Sequence, residues 1–118
     1  MARVLVVDDD LGLLRVLRSV LSGAGHRVRT AATGGDALAS FEEEAPEIVV
    51  LDLGLPDMDG LEVCRPVHQS SSVPILAMSG GGLADRGSAA LDAGATGFID
   101  KPFSASELIA AICSAFPV

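Results

Sequence analysis

Ile48-Val49-Val50-Leu51-Asp52 is an unbroken apolar run that ends on an acid, and the turn residues Leu55-Pro56-Asp57-Met58-Asp59-Gly60 follow close behind. No polar residue alternates through it, so with Glu47 at its start it reads as a strand covered on both faces, the habit of a central strand in a parallel sheet. Upstream, Arg3 to Asp8 is a second such run, rich in β-branched residues, and His26 to Ala31 is a more polar strand suited to a sheet edge. Downstream, Val73 to Met78 and Thr96 to Asp100 complete five strands. Helical patterns lie between and after them. Leu13, Leu14, Leu17, Val20 and Leu21 fall at helical spacing, with Gly23 and Gly25 as stop signals. Asp36 to Glu44 turns Ala37, Leu38 and Phe41 inward and ends at Pro46, and a short helix runs from Leu61 to about Gln69. Ala84 to Ala93 is a weak helix, preceded by Gly80-Gly81-Gly82 and interrupted by Gly87. Ser104-Ala105-Ser106-Glu107 has the form of a capping box opening a last helix, with Leu108, Ile112 and Phe116 on one face. Five β/α repeats predict an α/β domain over residues 1–118, a parallel sheet with helices on both faces.

The totals fit that reading. A length of 118 residues with 49% hydrophobic content suits one domain with a real core. No apolar run approaches the roughly 18 residues of a membrane span, and Val4 to Val7 runs straight into three aspartates, which rules out a signal-peptide core. The expected location is cytoplasmic, with no membrane contact. Sixteen acids against eight bases give a formal charge of −8, which disfavours direct contact with nucleic acid. Cys64 and Cys113 match no metal or redox spacing and read as small apolar residues in helices. Lys101, followed by Pro102, is the only lysine of the chain.

In doubly wound folds the reactive groups collect past the carboxyl ends of the strands, where strand order reverses. Strand one ends in Asp8, Asp9 and Asp10, strand three in Asp52, strand four in Ser79 and strand five in Lys101, whereas strand two ends in Ala31 and Ala32. With strand two on the outer edge, these groups meet in one crevice. Like-charged carboxylates near 4 Å repel by about 4 kcal/mol at an effective dielectric near 20, so either some are protonated or a cation sits among them. An oxygen-only donor set suits a hard ion, and Mg²⁺ suits a small open site that keeps several waters. Asp10 is the member best placed to cap the first helix instead.

Val6-Val7-Asp8-Asp9, Leu51-Asp52-Leu53-Gly54-Leu55-Pro56-Asp57-Met58-Asp59-Gly60, Ala77-Met78-Ser79-Gly80 and Gly97-Phe98-Ile99-Asp100-Lys101-Pro102-Phe103 together resemble the receiver domains of two-component response regulators, over essentially the whole chain. The resemblance implies a flavodoxin-like (βα)5 fold with strand order 2-1-3-4-5, as in the chemotaxis member of that family. It implies that Asp52 accepts a phosphoryl group from a phosphohistidine of a sensor histidine kinase or histidine phosphotransfer protein, without the domain being an enzyme toward other substrates. Asp9, Asp52 and the Gly54 carbonyl would bind Mg²⁺ directly and Asp8 mostly through water. Ser79 would bond a phosphoryl oxygen, Lys101 would neutralise another and join Pro102 through a cis peptide, and Phe98 would be the aromatic switch residue. Phosphorylation would then change the surface of the fourth helix, fifth strand and fifth helix, which an output domain or a second copy of the chain reads; the four glycines Gly80, Gly81, Gly82 and Gly87 would keep that surface soft.

Some residues depart from the pattern. Pro66 falls inside the third helix and is expected to bend or shorten it. Gly54 and Gly81 leave the site open to water, which argues against a long-lived phosphoryl group. His26 and His68 fall outside the crevice and read as structural or surface residues. Asp57-Met58-Asp59-Gly60 superficially matches a calcium loop, but Leu55 occupies the first ligand position, so it reads as a turn. Two rival readings stand beside this one. A haloacid-dehalogenase-type phosphatase would use Asp8 and Asp10 but gives Asp52 no role, finds Gly12 where Thr or Val is expected, and usually carries a cap this short chain lacks. A receiver-like module that binds partners without phosphorylation would not need the complete set of site residues.

Overall fold

Strand and helix alternate from one end of the chain to the other in a computed structural model that describes residues 2–80 and 84–115. In chain order the elements are β1 (Arg3–Val7), α1 (Leu11–Gly23), β2 (Arg27–Ala31), α2 (Gly34–Glu43), β3 (Ile48–Asp52), α3 (Gly60–Ser70), β4 (Ile75–Ser79), α4 (Ala84–Asp92), β5 (Gly97–Asp100) and α5 (Ala105–Ala115). The strands form one parallel sheet in the order β2-β1-β3-β4-β5. Every residue of β3 and β4 is buried, whereas β2 on the edge buries fully only Ala31. The continuous apolar runs therefore belong to the centre of the sheet and the mixed run to its edge.

Successive side chains of each strand point to opposite faces, and this divides the core in two. Leu5, Val7, Val49, Leu51, Ile75 and Ala77 pack with Ala37 of α2, Val63, Cys64 and Val67 of α3 and Ala90 of α4. Val4, Val6, Ile48, Val50, Leu76 and Met78 pack with Leu14, Leu17 and Leu21 of α1 and Leu108 and Ile112 of α5. Among the described residues, no helix is long and apolar enough to cross a membrane.

The helix ends show where local signals succeed. Asp10 caps α1, its Oδ1 accepting the Leu13 amide at 3.1 Å. In the α5 capping box the Ser104 Oγ accepts the Glu107 amide and Glu107 Oε1 accepts the Ser104 amide, both at 3.1 Å. Some expectations need correction. The second helix begins at Gly34 rather than Asp36, because Thr33 caps it by accepting the Asp36 amide at 3.1 Å. Pro66 does not shorten α3, which continues to Ser70 with Val63, Cys64 and Val67 buried against the sheet. Pro66 and Glu62, the residue whose carbonyl loses its helical donor, both lie on the exposed side, so water can satisfy that group. His26 Nδ1 accepts the Ala2 amide at 3.1 Å, a structural role, and the exposed His68 packs over Gly94. Gly81, Gly82 and Phe116 lie outside the described residues.

Gly60, the first residue of α3, sits where a side chain has no room. A Cβ there would lie 2.5 Å from the Leu53 Cα and 2.7 Å from the Asp52 carbonyl oxygen, both backbone atoms. Gly60→Ala is therefore expected to destabilise the fold by about 2 kcal/mol through overpacking. It should lower the urea midpoint with little change in the slope of the transition; an unchanged midpoint would show that the loop yields freely.

Candidate functional site

Asp8 follows β1, Asp52 ends β3, Ser79 ends β4 and Lys101 follows β5, so the strand order sets all four at the carboxyl edge of the sheet. Asp8, Asp52 and Ser79 are the buried polar side chains among the described residues, at 0%, 6% and 7% exposure. Among the described residues, polar burial is thus confined to one crevice. A carboxylate oxygen from each of Asp8, Asp9 and Asp52 can be chosen so that all three lie within 4.8 Å of one another, and Asp9 is exposed on the solvent side.

Each buried acid is held from two directions. Asp8 Oδ1 accepts the Asp10 amide at 2.9 Å, and Asp52 Oδ1 accepts the Gly54 amide at 3.2 Å. The Lys101 ammonium lies 2.5 Å from Asp8 Oδ2 and 3.5 Å from Asp52 Oδ2. Its backbone amide donates to the Ser79 carbonyl at 2.8 Å, which ties the ends of β4 and β5 together, and the Lys101–Pro102 peptide is cis. The Ser79 hydroxyl donates to the Gly80 carbonyl at 3.4 Å. Phe98 is half-buried and packs against the core on the α2–α3–α4 side.

Burial pushes the Asp52 carboxyl up from its ordinary value; the Gly54 amide opposes this, the Asp8 charge adds to it, and Lys101 opposes it. For Lys101, burial works to lower the ammonium's value, but the contacts with Asp8 and Asp52 outweigh it and leave it raised. Three carboxylates against one ammonium leave the crevice at −3 + 1 = −2 when all are ionised, with only oxygen donors at its mouth. That donor set fits a hard divalent cation.

The six candidates, Asp8, Asp9, Asp52, Gly54, Ser79 and Lys101, all fall at this edge or on the loop leaving it. Sequence reasoning missed what Asp57 and Asp59 do. Asp59 caps α3, accepting the Leu61 amide at 2.9 Å, and the Asp59-Gly60-Leu61-Glu62 spacing was the available signal. Asp57 reaches α2, accepting the Gly34 and Gly35 amides at 2.8 and 2.9 Å, a contact no local pattern reveals.

Fold and site together define a doubly wound α/β domain with an acidic, lysine-bridged pocket at the carboxyl ends of its strands. The family model described as the response regulator receiver domain matches residues 4–113, and the chain belongs to that family. A probable transcriptional regulator, ycf27, of Cyanophora paradoxa is 42% identical over 113 residues, 95% of this chain and 47% of that protein. The transcriptional regulatory protein KdpE of Mycobacterium tuberculosis is 40% identical over 115 residues, 98% of this chain and 51% of its own. The chain thus spans about half the length of these curated relatives. Among solved structures, a putative response regulator of Chloroflexus aurantiacus superposes with a TM-score of 0.92 at 34% identity, covering 98% of this chain and 97% of that one. The chemotaxis protein CheY4 of Vibrio cholerae does so with a TM-score of 0.92 at 30% identity, covering 98% of each.

A carboxyl raised on folding binds more protons in the folded than in the unfolded state between the two values, so stability falls as pH rises through that window. The neutral amide of Asp52→Asn avoids this cost. In metal-free buffer at neutral pH the variant is expected to melt a few degrees above the unaltered protein, the gap narrowing as pH falls toward the ordinary carboxyl range. Calorimetry across pH checks this, and a variant that melts lower at pH 7 would contradict it.

Proposed function

We propose that this receiver domain is a phosphoacceptor switch in which Asp52 takes a phosphoryl group from the phosphohistidine of a sensor histidine kinase or histidine phosphotransfer protein in the cytoplasm. The observation that carries the reading is the clustering of Asp8, Asp9 and Asp52 with the chain's sole lysine lodged between the two buried acids. An ionised Asp52 oxygen attacks phosphorus, the P–N bond breaks with its electron pair passing to the imidazole, and an acyl phosphate forms. Asp9, Asp52 and the Gly54 carbonyl, with Asp8 mostly through water, are the groups that would hold Mg²⁺, which when bound supplies positive charge beside the transferring group. Lys101 offers its ammonium to one phosphoryl oxygen and Ser79 its hydroxyl to another.

The domain turns over only its own phosphoryl group. When Ser79 gives up its bond to the Gly80 carbonyl for the phosphoryl oxygen, Phe98 fills the vacated space, and the surface of α4, β5 and α5 shifts in population. An output segment or a second copy of the chain reads that surface. The relatives are named as transcriptional regulators, and a transcriptional output through a separate segment is the reading we extend to this chain, since a charge of −8 disfavours contact of this domain with nucleic acid.

With Mg²⁺ and acetyl phosphate, intact-mass measurement should record one labile phosphoryl adduct, absent in Asp52→Asn and retained in Asp10→Asn. Catalytic release of phosphate from a monoester with no adduct at Asp52 would instead support the phosphatase alternative. Hydrogen exchange provides the test of the switch. Amides of residues 84–92, a helix weakened by Gly87, and of 97–100 should exchange readily before phosphorylation and change their rates after it. Slow exchange that phosphorylation leaves untouched would remove this surface from the mechanism.

A further inference from the structure

The loop between β3 and α3 carries the Gly54 carbonyl and the Gly54 amide that holds Asp52, and it is fastened at three places. The Gly60 amide donates to the Leu53 carbonyl at 3.0 Å and closes the base of the loop. Gly54 and Asp59 pair across it as an antiparallel bridge. Asp57 makes the third fastening, and it reaches outside the loop. Its Oδ1 accepts the Gly34 amide at 2.8 Å and its Oδ2 the Gly35 amide at 2.9 Å, across 23 and 22 residues of chain.

Those amides belong to the first turn of α2, where backbone donors have no partner within the helix and the helix dipole favours negative charge. The same end already has a local cap in Thr33, which takes the Asp36 amide. Asp57 is therefore a long-range tie added to a helix end that is capped without it. The Gly34 amide first, and then the Gly35 amide, hold its carboxyl below the ordinary range, so it is ionised at neutral pH. Of the two facing glycines, Gly34 is the crowded one and Gly35 has ordinary room. A Cβ at Gly34 would come within 2.5 Å of the Met58 Cγ, and one at Gly35 would lie 3.5 Å from Asp57 Oδ2. A side chain at 34 would thus have to displace the Met58 side chain, which the loop packs here.

We propose that Asp57 is a positioning residue for the phosphorylation site, clamping the 53–59 loop to α2 so that the Gly54 carbonyl faces the cation site and the Gly54 amide stays on Asp52. The inference rests on the reading of Asp52 as phosphoacceptor. Indirect supports of a metal ligand set its affinity strongly, and small misplacements at a phosphoryl-transfer site are costly in rate.

Thr33 supplies the control, because its hydroxyl caps the same helix end by accepting an amide of the helix itself. The 118-residue chain and its Asp57→Ala, Asp57→Asn and Thr33→Ala variants are to be compared for thermal midpoint, Mg²⁺ affinity by calorimetry and initial labelling rate with acetyl phosphate. Asp57→Ala should weaken Mg²⁺ binding about tenfold and slow labelling, and Asp57→Asn, which keeps one acceptor oxygen, should fall between. Thr33→Ala should lose thermal stability yet bind Mg²⁺ as the unaltered chain does. Unchanged Mg²⁺ affinity in both Asp57 variants would overturn the proposal, as would equal weakening by Thr33→Ala, which would reduce Asp57 to a helix cap. If Asp57→Ala does not fold, Asp57→Asn against Thr33→Ala gives the same decision. An unaltered chain that neither binds Mg²⁺ nor forms the adduct would overturn the phosphoacceptor reading itself, an outcome distinct from normal binding in all variants.

Discussion

Two acids buried side by side at the carboxyl edge of the sheet, with one ammonium wedged against both, set the terms for the rest of this domain. At an effective dielectric near 20, two like charges about 4 Å apart repel by about 4 kcal/mol, comparable to much of a small domain's net stability. Asp8 and Asp52 stay at this edge because backbone amides take one oxygen of each and Lys101 lies against the other. The compensation is partial. Asp52 remains harder to ionise than an exposed aspartate, and Asp9 adds a third negative charge at the mouth. A fold that retains such a cluster gives up stability for an acidic crevice whose oxygens fit a hard cation.

The order β2-β1-β3-β4-β5 is what makes the cluster possible. Because β1 lies beside β3 rather than at an edge, the end of the first strand meets the end of the third, and β2, which ends in alanines, is displaced outward. The β3–β4 and β4–β5 neighbours then bring Ser79 and Lys101 alongside. The amide of Lys101 bonded to the Ser79 carbonyl makes the last two strand ends one unit, so the Ser79 side chain and the Lys101 ammonium are carried on a shared support.

The sequence showed this crevice because central parallel strands are apolar throughout, and a polar residue at the end of such a run stands out. It showed boundaries less well. The fourth strand begins at Ile75 rather than Val73, since Pro74 has no amide to give and the Ile75 amide is taken by the Thr96 side chain, 21 residues on. The helical pattern of α2 starts at Asp36, two residues after the helix itself, which Thr33 caps. The tie from Asp57 has no local trace at all, and the residues around it read as a turn when they serve two helix ends. Pro66 left α3 its full length for a different reason: its effect depends on which side of the helix faces water. Nor could spacing say which acid the lone lysine would favour, 93 residues from one of them.

That last contact also sets the two buried acids apart. Of the four oxygens on the two buried acids, Asp8 Oδ1 is held by the Asp10 amide and Asp8 Oδ2 by the ammonium at 2.5 Å. Asp52 Oδ1 is held by the Gly54 amide, while Asp52 Oδ2 has its ammonium contact only at 3.5 Å. Asp8 is also fully enclosed, whereas Asp52 keeps 6% of its surface in solvent. Asp52 Oδ2 is thus the most loosely held of the four oxygens, on the one of the two acids that keeps contact with solvent. The enclosure of Asp8 suits it for holding Lys101, whose position then keeps positive charge within reach of Asp52 while leaving Asp52 Oδ2 loosely held.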